Sequence, residues 1–269
     1  MHLKRWITGL VGAPLIVLLV SFGGPFLFAV VIGILCLLAL WEYFRIVFQD
    51  RDPSNQGLIP LLGFVTGPFI IWGSYLNSFK IVLVILTINF IITALISLTK
   101  YRSDSSVSEM AAKQLLGMIY IPLFLSYFVW IRNGANGISW IYLIVLVIFC
   151  GDIGAFYLGS YFGRRKLSPT ISPNKTIEGA VGGLAANLGV GALVKHLFMP
   201  FLPWGLSLLF FLLIGIAGQV GDLFESKLKR GGNIKDSGTL LPGHGGILDR
   251  IDALLFAVPV AYLFKEYIF

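Results

Sequence analysis

Residues 138–159 read ISWIYLIVLVIFCGDIGAFYLG, twenty-two residues with a single charged side chain, Asp152. At 1.5 Å per residue this run is about 33 Å long, enough to cross the ~30 Å hydrocarbon core of a bilayer. Its apolar residues are continuous rather than alternating, so the run reads as a helix that satisfies its own backbone groups. Eight further runs of the same kind lie at roughly 6–22, 25–47, 58–76, 81–99, 114–131, 175–194, 204–224 and 247–268. The expected fold is an all-α integral membrane protein with about nine transmembrane helices.

Composition agrees. Of 269 residues, 57% are hydrophobic and 12% charged, against about 25% charged in soluble domains. The net charge of +7 does not point to nucleic acid, because the basic residues sit in short loops between spans. Sixteen of the twenty Lys and Arg fall on the N-terminal side of the membrane, and only Lys80, Arg132, Lys195 and Lys265 fall on the other. The positive-inside rule therefore predicts a cytoplasmic N-terminus and an outside C-terminus, in a multi-pass protein of the inner or plasma membrane. Met1-His2-Leu3-Lys4-Arg5 resembles the start of a signal peptide, but the apolar run reaches Phe22 without a small-residue cleavage site and reads as a retained first span. Cys36 and Cys150 lie inside apolar runs and imply neither a disulfide nor a zinc site. Two blocks are expected: residues 1–112 with spans one to four, and residues 113–269 as the catalytic membrane region, with cytoplasmic loops 160–174 and 225–246.

The acids are placed where lipid should exclude them. Asp152 lies roughly 21 Å along its span, near the cytoplasmic end. The eighth span reads Gln219-Val220-Gly221-Asp222-Leu223-Phe224-Glu225-Ser226, with Gln219, Asp222, Glu225 and Ser226 on one helical face. The ninth opens Gly246-Ile247-Leu248-Asp249-Arg250-Ile251-Asp252, with Asp249 and Asp252 on one face of its first turn. Helix-end charge could account for Asp249. It does not account for Asp152, Asp222 or Asp252, because ionisable residues in membrane segments usually mark function. Carboxylates combined with water and substrate phosphates are what Mg²⁺ prefers.

Basic and glycine-rich stretches join these helices. Lys227-Leu228-Lys229-Arg230, Lys235-Asp236 and Pro242-Gly243-His244-Gly245-Gly246 bring cations beside backbone that opens a helix, a phosphate-binding arrangement. Lys227 is explained by topology alone, whereas Lys229, Arg230, Lys235 and Arg250 are interleaved with acids and glycines. His244 would carry little by itself and gains weight from its Gly-His-Gly-Gly setting. A second cluster, Arg164-Arg165-Lys166, precedes Ser172-Pro173-Asn174-Lys175-Thr176-Ile177-Glu178-Gly179. Ser172 and Pro173 read as N-cap and N1 of the seventh span, which would put Lys175 and Thr176 in its first turn. Gly179 with Gly183, and Gly215 with Gly218 and Gly221, read as close helix packing.

The stretch Ser226–Asp252, written S-x-L-K-R-x4-K-D-x-G-x2-L-P-x-H-G-G-I-x-D-R-I-D, resembles the signature of the phosphatidate cytidylyltransferase (CDP-diacylglycerol synthase) family, with every fixed position filled. Ser172–Gly179 resembles that family's Ser-Pro-x-Lys-Thr segment, with Ile177 where tryptophan is frequent, and Gly221-Asp222 resembles its metal-binding helix. The resemblance implies transfer of CMP from CTP to phosphatidate, with CTP and phosphatidate as partners at the bilayer surface and an active site facing the cytoplasm. It implies a Mg²⁺ site with Asp222 and Asp249 as ligands, joined by Asp152 and Glu225 as further candidates, a second, monovalent cation such as K⁺, and a homodimer. The catalytic set would be Lys175, Lys229, Arg230, Lys235, Asp236, His244 and Asp252, and the substrate-binding set Ser172, Asn174, Thr176, Ser226, Gly245, Gly246 and Arg250. The alternatives are a related CTP-dependent enzyme acting on polyprenol or archaeal lipid, or a cation-coupled transporter. A transporter would place its acids near the midplane of inverted repeats; here the charges gather at one face and no repeat is evident.

Overall fold

The computed structural model describes residues 2–48, 57–99, 106–240 and 245–269, with side chains from Gly12 onward apart from residues 99, 106 and 107. The helices are α1 (His2–Phe22), α2 (Gly24–Val47), α3 (Leu58–Tyr75), α4 (Phe79–Thr99), α5 (Ser106–Met118), α6 (Phe124–Asn133), α7 (Gly137–Phe162), α8 (Ile177–Phe198), α9 (Trp204–Gly231) and α10 (Leu248–Tyr267). A short hairpin of β1 (Lys166–Ser168) and β2 (Ser172–Thr176) stands between α7 and α8. Each of the nine expected spans coincides with helix. Among the described residues seven helical segments are long and apolar enough to cross a membrane, and Gly12–Phe22 of α1 is a shorter apolar one. The chain is an all-α integral membrane protein.

The chain divides into two compact units, residues 1–133 with 231–249, and residues 134–230 with 250–269. In the first, Cys36, Ala39, Leu40 and Tyr43 of α2 are fully buried. Their spacing is one stripe of a 3.6-residue helix. Trp41, Ile34 and Leu37 on the same helix stay exposed, as do Phe69 and Leu98 on α3 and α4. Such surface suits lipid, which is as apolar as the side chains themselves. The fifth span runs through α5 and α6, which are joined by a π-helical turn over Ile119–Leu123. Pro122 lies inside that turn and has no N–H to donate, so the regular i→i−4 ladder gives way there. Gly117 lets the Tyr43 ring pack against α5, since a Cβ would meet that ring at 2.6 Å. The Tyr43 hydroxyl donates to the Lys113 carbonyl at 2.8 Å.

In the second unit α7 and α8 pack most closely. A Cβ on Gly183 would stand 3.0 Å from the Gly151 carbonyl, and one on Gly179 would stand 2.8 Å from the Ala155 carbonyl. The expected small-residue packing face is therefore present. A Cβ on Gly221 would meet the Asp252 carbonyl at 2.5 Å, so α9 and α10 approach closely beside Asp222.

Two expectations change. The seventh span does not start at Ser172: residues 172–176 pair with 166–168, in register Lys166↔Thr176 and Ser168↔Ser172. Pro169 in the intervening turn favours chain reversal, and the strand carries the chain to Thr176. Thr176 is the N-cap, its hydroxyl accepting the Gly179 N–H at 3.1 Å. The second change is α9. It continues to Gly231, past the expected end at 224, so Glu225, Ser226, Lys229 and Arg230 are helical. Its 28 residues measure about 42 Å, more than the hydrocarbon core requires. A Glu225–Lys229 ion pair at i,i+4 supports the added turns.

Candidate active site

In the second unit the carboxylates and cations meet at one end of the helices. Lys175 on β2 forms an ion pair with Asp222 on α9, both side chains about one third exposed. Asp152 on α7 and Asp252 on α10 lie near Asp222, bringing three carboxylates together in this unit. Lys175 also lies near Asp152, and Lys229 near Asp252. Three acids from three helices thus share this end of the unit, with one ammonium paired to the central one.

The hairpin that carries Lys175 is tied down at both ends. The Glu178 carboxylate accepts the N–H groups of Arg164 at 3.0 Å and Arg165 at 3.1 Å. The Arg230 Nε donates to the Ile171 carbonyl at 3.3 Å, joining the end of α9 to the turn. Ser172 is half-buried and Asn174 exposed on β2, while Thr176 is buried as the cap of α8. Glu225, one turn from Asp222, is fully buried with its Oε2 paired to Lys229, and Ser226 is half-buried. Gln219 donates to the Ala180 carbonyl at 2.9 Å, which fixes α9 against α8 just before Asp222.

In the first unit the glycine-rich connector has a different construction. The Asp249 Oδ2 accepts the backbone N–H of Gly246 at 2.8 Å and of Ser237 at 3.0 Å. Gly245 has φ +84°, a conformation that side-chain-bearing residues rarely adopt. Gly246 is buried, and a Cβ there would collide with the Ser237 Oγ and the Glu42 carboxylate. The N–H groups opening α10 therefore face the protein's own carboxylates. Lys235, Asp236 and Arg250 are exposed, and His244 lies outside the described residues.

Sequence reasoning misses Glu42, Arg45 and Ser237. Glu42, fully buried on α2, accepts from the Ser237 hydroxyl at 2.7 Å, the Ile247 N–H at 2.9 Å and the Leu248 N–H at 2.8 Å. Arg45 donates to the Ser237 carbonyl at 2.5 Å. A signal for the first of them exists: Glu42 is an acid inside an apolar span, the criterion applied to Asp152.

The donor chemistry in the second unit suits Mg²⁺. The ion binds through one or two carboxylates and completes its shell with water and substrate phosphates, so no closed protein cage is needed. Among the described residues no three His, Cys, Asp or Glu side chains form such a cage. The Lys175 ammonium already puts a cation beside the Asp222 carboxylate.

Similarity to known proteins extends over nearly the whole chain. The cytidylyltransferase family model matches residues 3–268. A phosphatidate cytidylyltransferase of Bacillus subtilis (strain 168) is 35% identical over 267 residues, 96% of each chain. One of Staphylococcus aureus (strain COL) is 31% identical over 267 residues, covering 95% of this chain and 96% of that protein. One of Brucella suis biovar 1 (strain 1330) is 47% identical over 128 residues, about half of each chain. This chain therefore belongs to the cytidylyltransferase family.

Proposed function

We propose that the protein transfers CMP from CTP to phosphatidate, forming CDP-diacylglycerol and diphosphate for phospholipid synthesis. The observation that carries this reading is the 35% identity to a phosphatidate cytidylyltransferase over 96% of both chains. An oxygen of the phosphatidate phosphate attacks the α-phosphorus of CTP, and the bond from that phosphorus to the bridging oxygen breaks. The electron pair leaves with diphosphate. The nucleophile is already anionic, so positioning and charge neutralisation dominate the barrier.

The chain's own residues suit those tasks. Lys175 sits on a short hairpin held by Glu178 and Arg230, and its ammonium reaches Asp222. When a phosphate arrives, that ammonium can pass from Asp222 to the incoming anion. Lys229 and Arg230, on the last turn of α9, and Lys235 add positive charge for two anionic substrates. Asp222 is the first ligand proposed for Mg²⁺, with Asp152 as its neighbour and with Asp249 as the ligand its motif position implies. Bound there, Mg²⁺ supplies neutralisation of triphosphate charge. A monovalent cation and a second copy of the chain complete the reading and rest on the family resemblance alone.

One substrate is soluble and the other is anchored by its acyl chains, so the reaction belongs at a membrane surface. The sixteen-to-four distribution of Lys and Arg supports the cytoplasmic surface. The test is incubation of purified protein with labelled CTP, phosphatidate and Mg²⁺, followed by lipid extraction. Label entering the lipid phase with phosphatidate, and not with polyprenyl phosphate or an archaeal ether lipid, is the expected outcome. No label in any lipid under varied cation conditions overturns the proposal.

A further inference from the structure

We infer that Glu42 is a positioning residue for the transfer reaction, presetting residues 237–240 and 245–249 and, through Ser237, the carboxylate of Asp249. The catalytic consequence rests on the proposed function; the structural consequence does not. Glu42 lies about 27 Å along α2 from Gly24, near the end of a span whose other charged side chain is Arg45, and is fully buried. Its Oε2 accepts from the Ser237 hydroxyl at 2.7 Å and the Leu248 N–H at 2.8 Å, and its Oε1 accepts from the Ile247 N–H at 2.9 Å. The donors are Ser237 on one side and Ile247 and Leu248 on the other, so one carboxylate holds both described flanks of the connector.

Ser237 is the shared node. Its hydroxyl donates to Glu42 at 2.7 Å, its N–H donates to Asp249 Oδ2 at 3.0 Å, and its carbonyl accepts from Arg45 at 2.5 Å. The Asp249 N–H also reaches the Ser237 Oγ at 3.4 Å. Loss of the Glu42 acceptor frees the Ser237 side chain and loosens one of the backbone donors that orient Asp249. Gly238 and Gly246 leave no room for repacking, since a Cβ on either would collide with the Glu42 carboxylate. The plain alternative is a helix cap. A cap needs only a short polar side chain next to the N-terminus, and Asp249 already accepts the Gly246 N–H there at 2.8 Å. A buried carboxylate brought from a distant helix is a costly way to repeat that function. Fixing the orientation of a second carboxylate is the role that outer-shell partners play around reactive centres.

The test uses the full chain in mixed micelles with phosphatidate, measuring CMP transfer and amide hydrogen exchange. In Glu42→Gln, which keeps the shape but turns an NH₂ toward the donors, kcat should fall about 10–100-fold. KM for CTP and phosphatidate should stay within about twofold. Exchange across 237–240 and 245–249 should quicken while α7 and α8 keep their protection. Glu42→Asp should fall between wild type and Glu42→Gln. Ser237→Ala should shift both readouts the same way by less, and it decides the matter if Glu42→Gln does not fold. Ser126→Ala, an equally buried polar change in the same unit, should alter neither. Wild-type kcat in the folded fraction of Glu42→Gln, or a change confined to KM or to yield, overturns the inference. If the wild-type protein transfers no CMP, the proposed function fails, and exchange alone still decides whether Glu42 holds the segment.

Discussion

Two groups of acids in this chain have opposite partners. Asp222 in the second unit is partnered by a flexible ammonium and leaves part of its surface open. Glu42 and the Oδ2 of Asp249 in the first unit are engaged by backbone N–H groups and a hydroxyl. An ammonium on a long stem can be exchanged for another cation or drawn away by an anion, so the first arrangement can take part in chemistry. Backbone donors held by helix and glycine geometry cannot move away, so the second arrangement fixes the orientation of its carboxylates instead of exchanging their partners. Charge within a membrane segment marks importance in both cases, and the type of partner separates the roles.

Asp222→Asn tests the contrast most severely. Turnover should fall by about 10²–10³-fold, the scale of losing one electrostatic contact to the reacting groups. Thermal stability should change little, because a partly exposed ion pair contributes at most about 1 kcal/mol. Wild-type turnover in this variant would break the comparison. Lys175→Met should reduce turnover by about tenfold or more and raise KM for CTP, since the residue is assigned to the incoming phosphate. Unchanged KM would move Lys175 from substrate binding to support of Asp222.

Gly246→Ala probes the other arrangement. Its Cβ would press on the Ser237 Oγ and the Glu42 carboxylate, so a stability loss of about 1–3 kcal/mol is expected along with lost activity. Thermal unfolding that matched wild type would show that the connector is not held as described. Thr176→Ala, which removes the α8 cap, should cost about 1 kcal/mol with a smaller drop in turnover. If that variant loses as much turnover as Lys175→Met, Thr176 contacts substrate as well as capping the helix.

Much of the site is legible in the sequence. Asp152, Asp222 and Asp252 stand out because a charge in an apolar run has few structural excuses, and helix packing brings them together from three helices. Lys175 reads as a first-turn residue of a helix, yet it lies on a strand. Local signals do not separate a Ser-Pro cap from a Ser-Pro strand, because both begin with extended backbone. The Gly-His-Gly-Gly connector reads as open to a substrate anion. At Gly246, Ile247 and Leu248 the anions are instead the protein's own, and the Glu42 carboxylate that meets Leu248 comes from 206 positions earlier in the chain.

The 138–159 run and its eight counterparts are enough to make this a helical membrane protein and to locate each helix roughly. Lipid offers no hydrogen bonds, so an apolar stretch of about twenty residues has few other stable conformations. The density of acids, bases and glycines in 222–252 likewise marks the chemistry without a fold. Which carboxylate faces which cation, and which faces backbone, is settled only by tertiary packing. Those pairings join residues far apart in the chain, Glu42 with Leu248 and Lys175 with Asp222, and they depend on separations of a few ångströms that no local pattern of residues encodes.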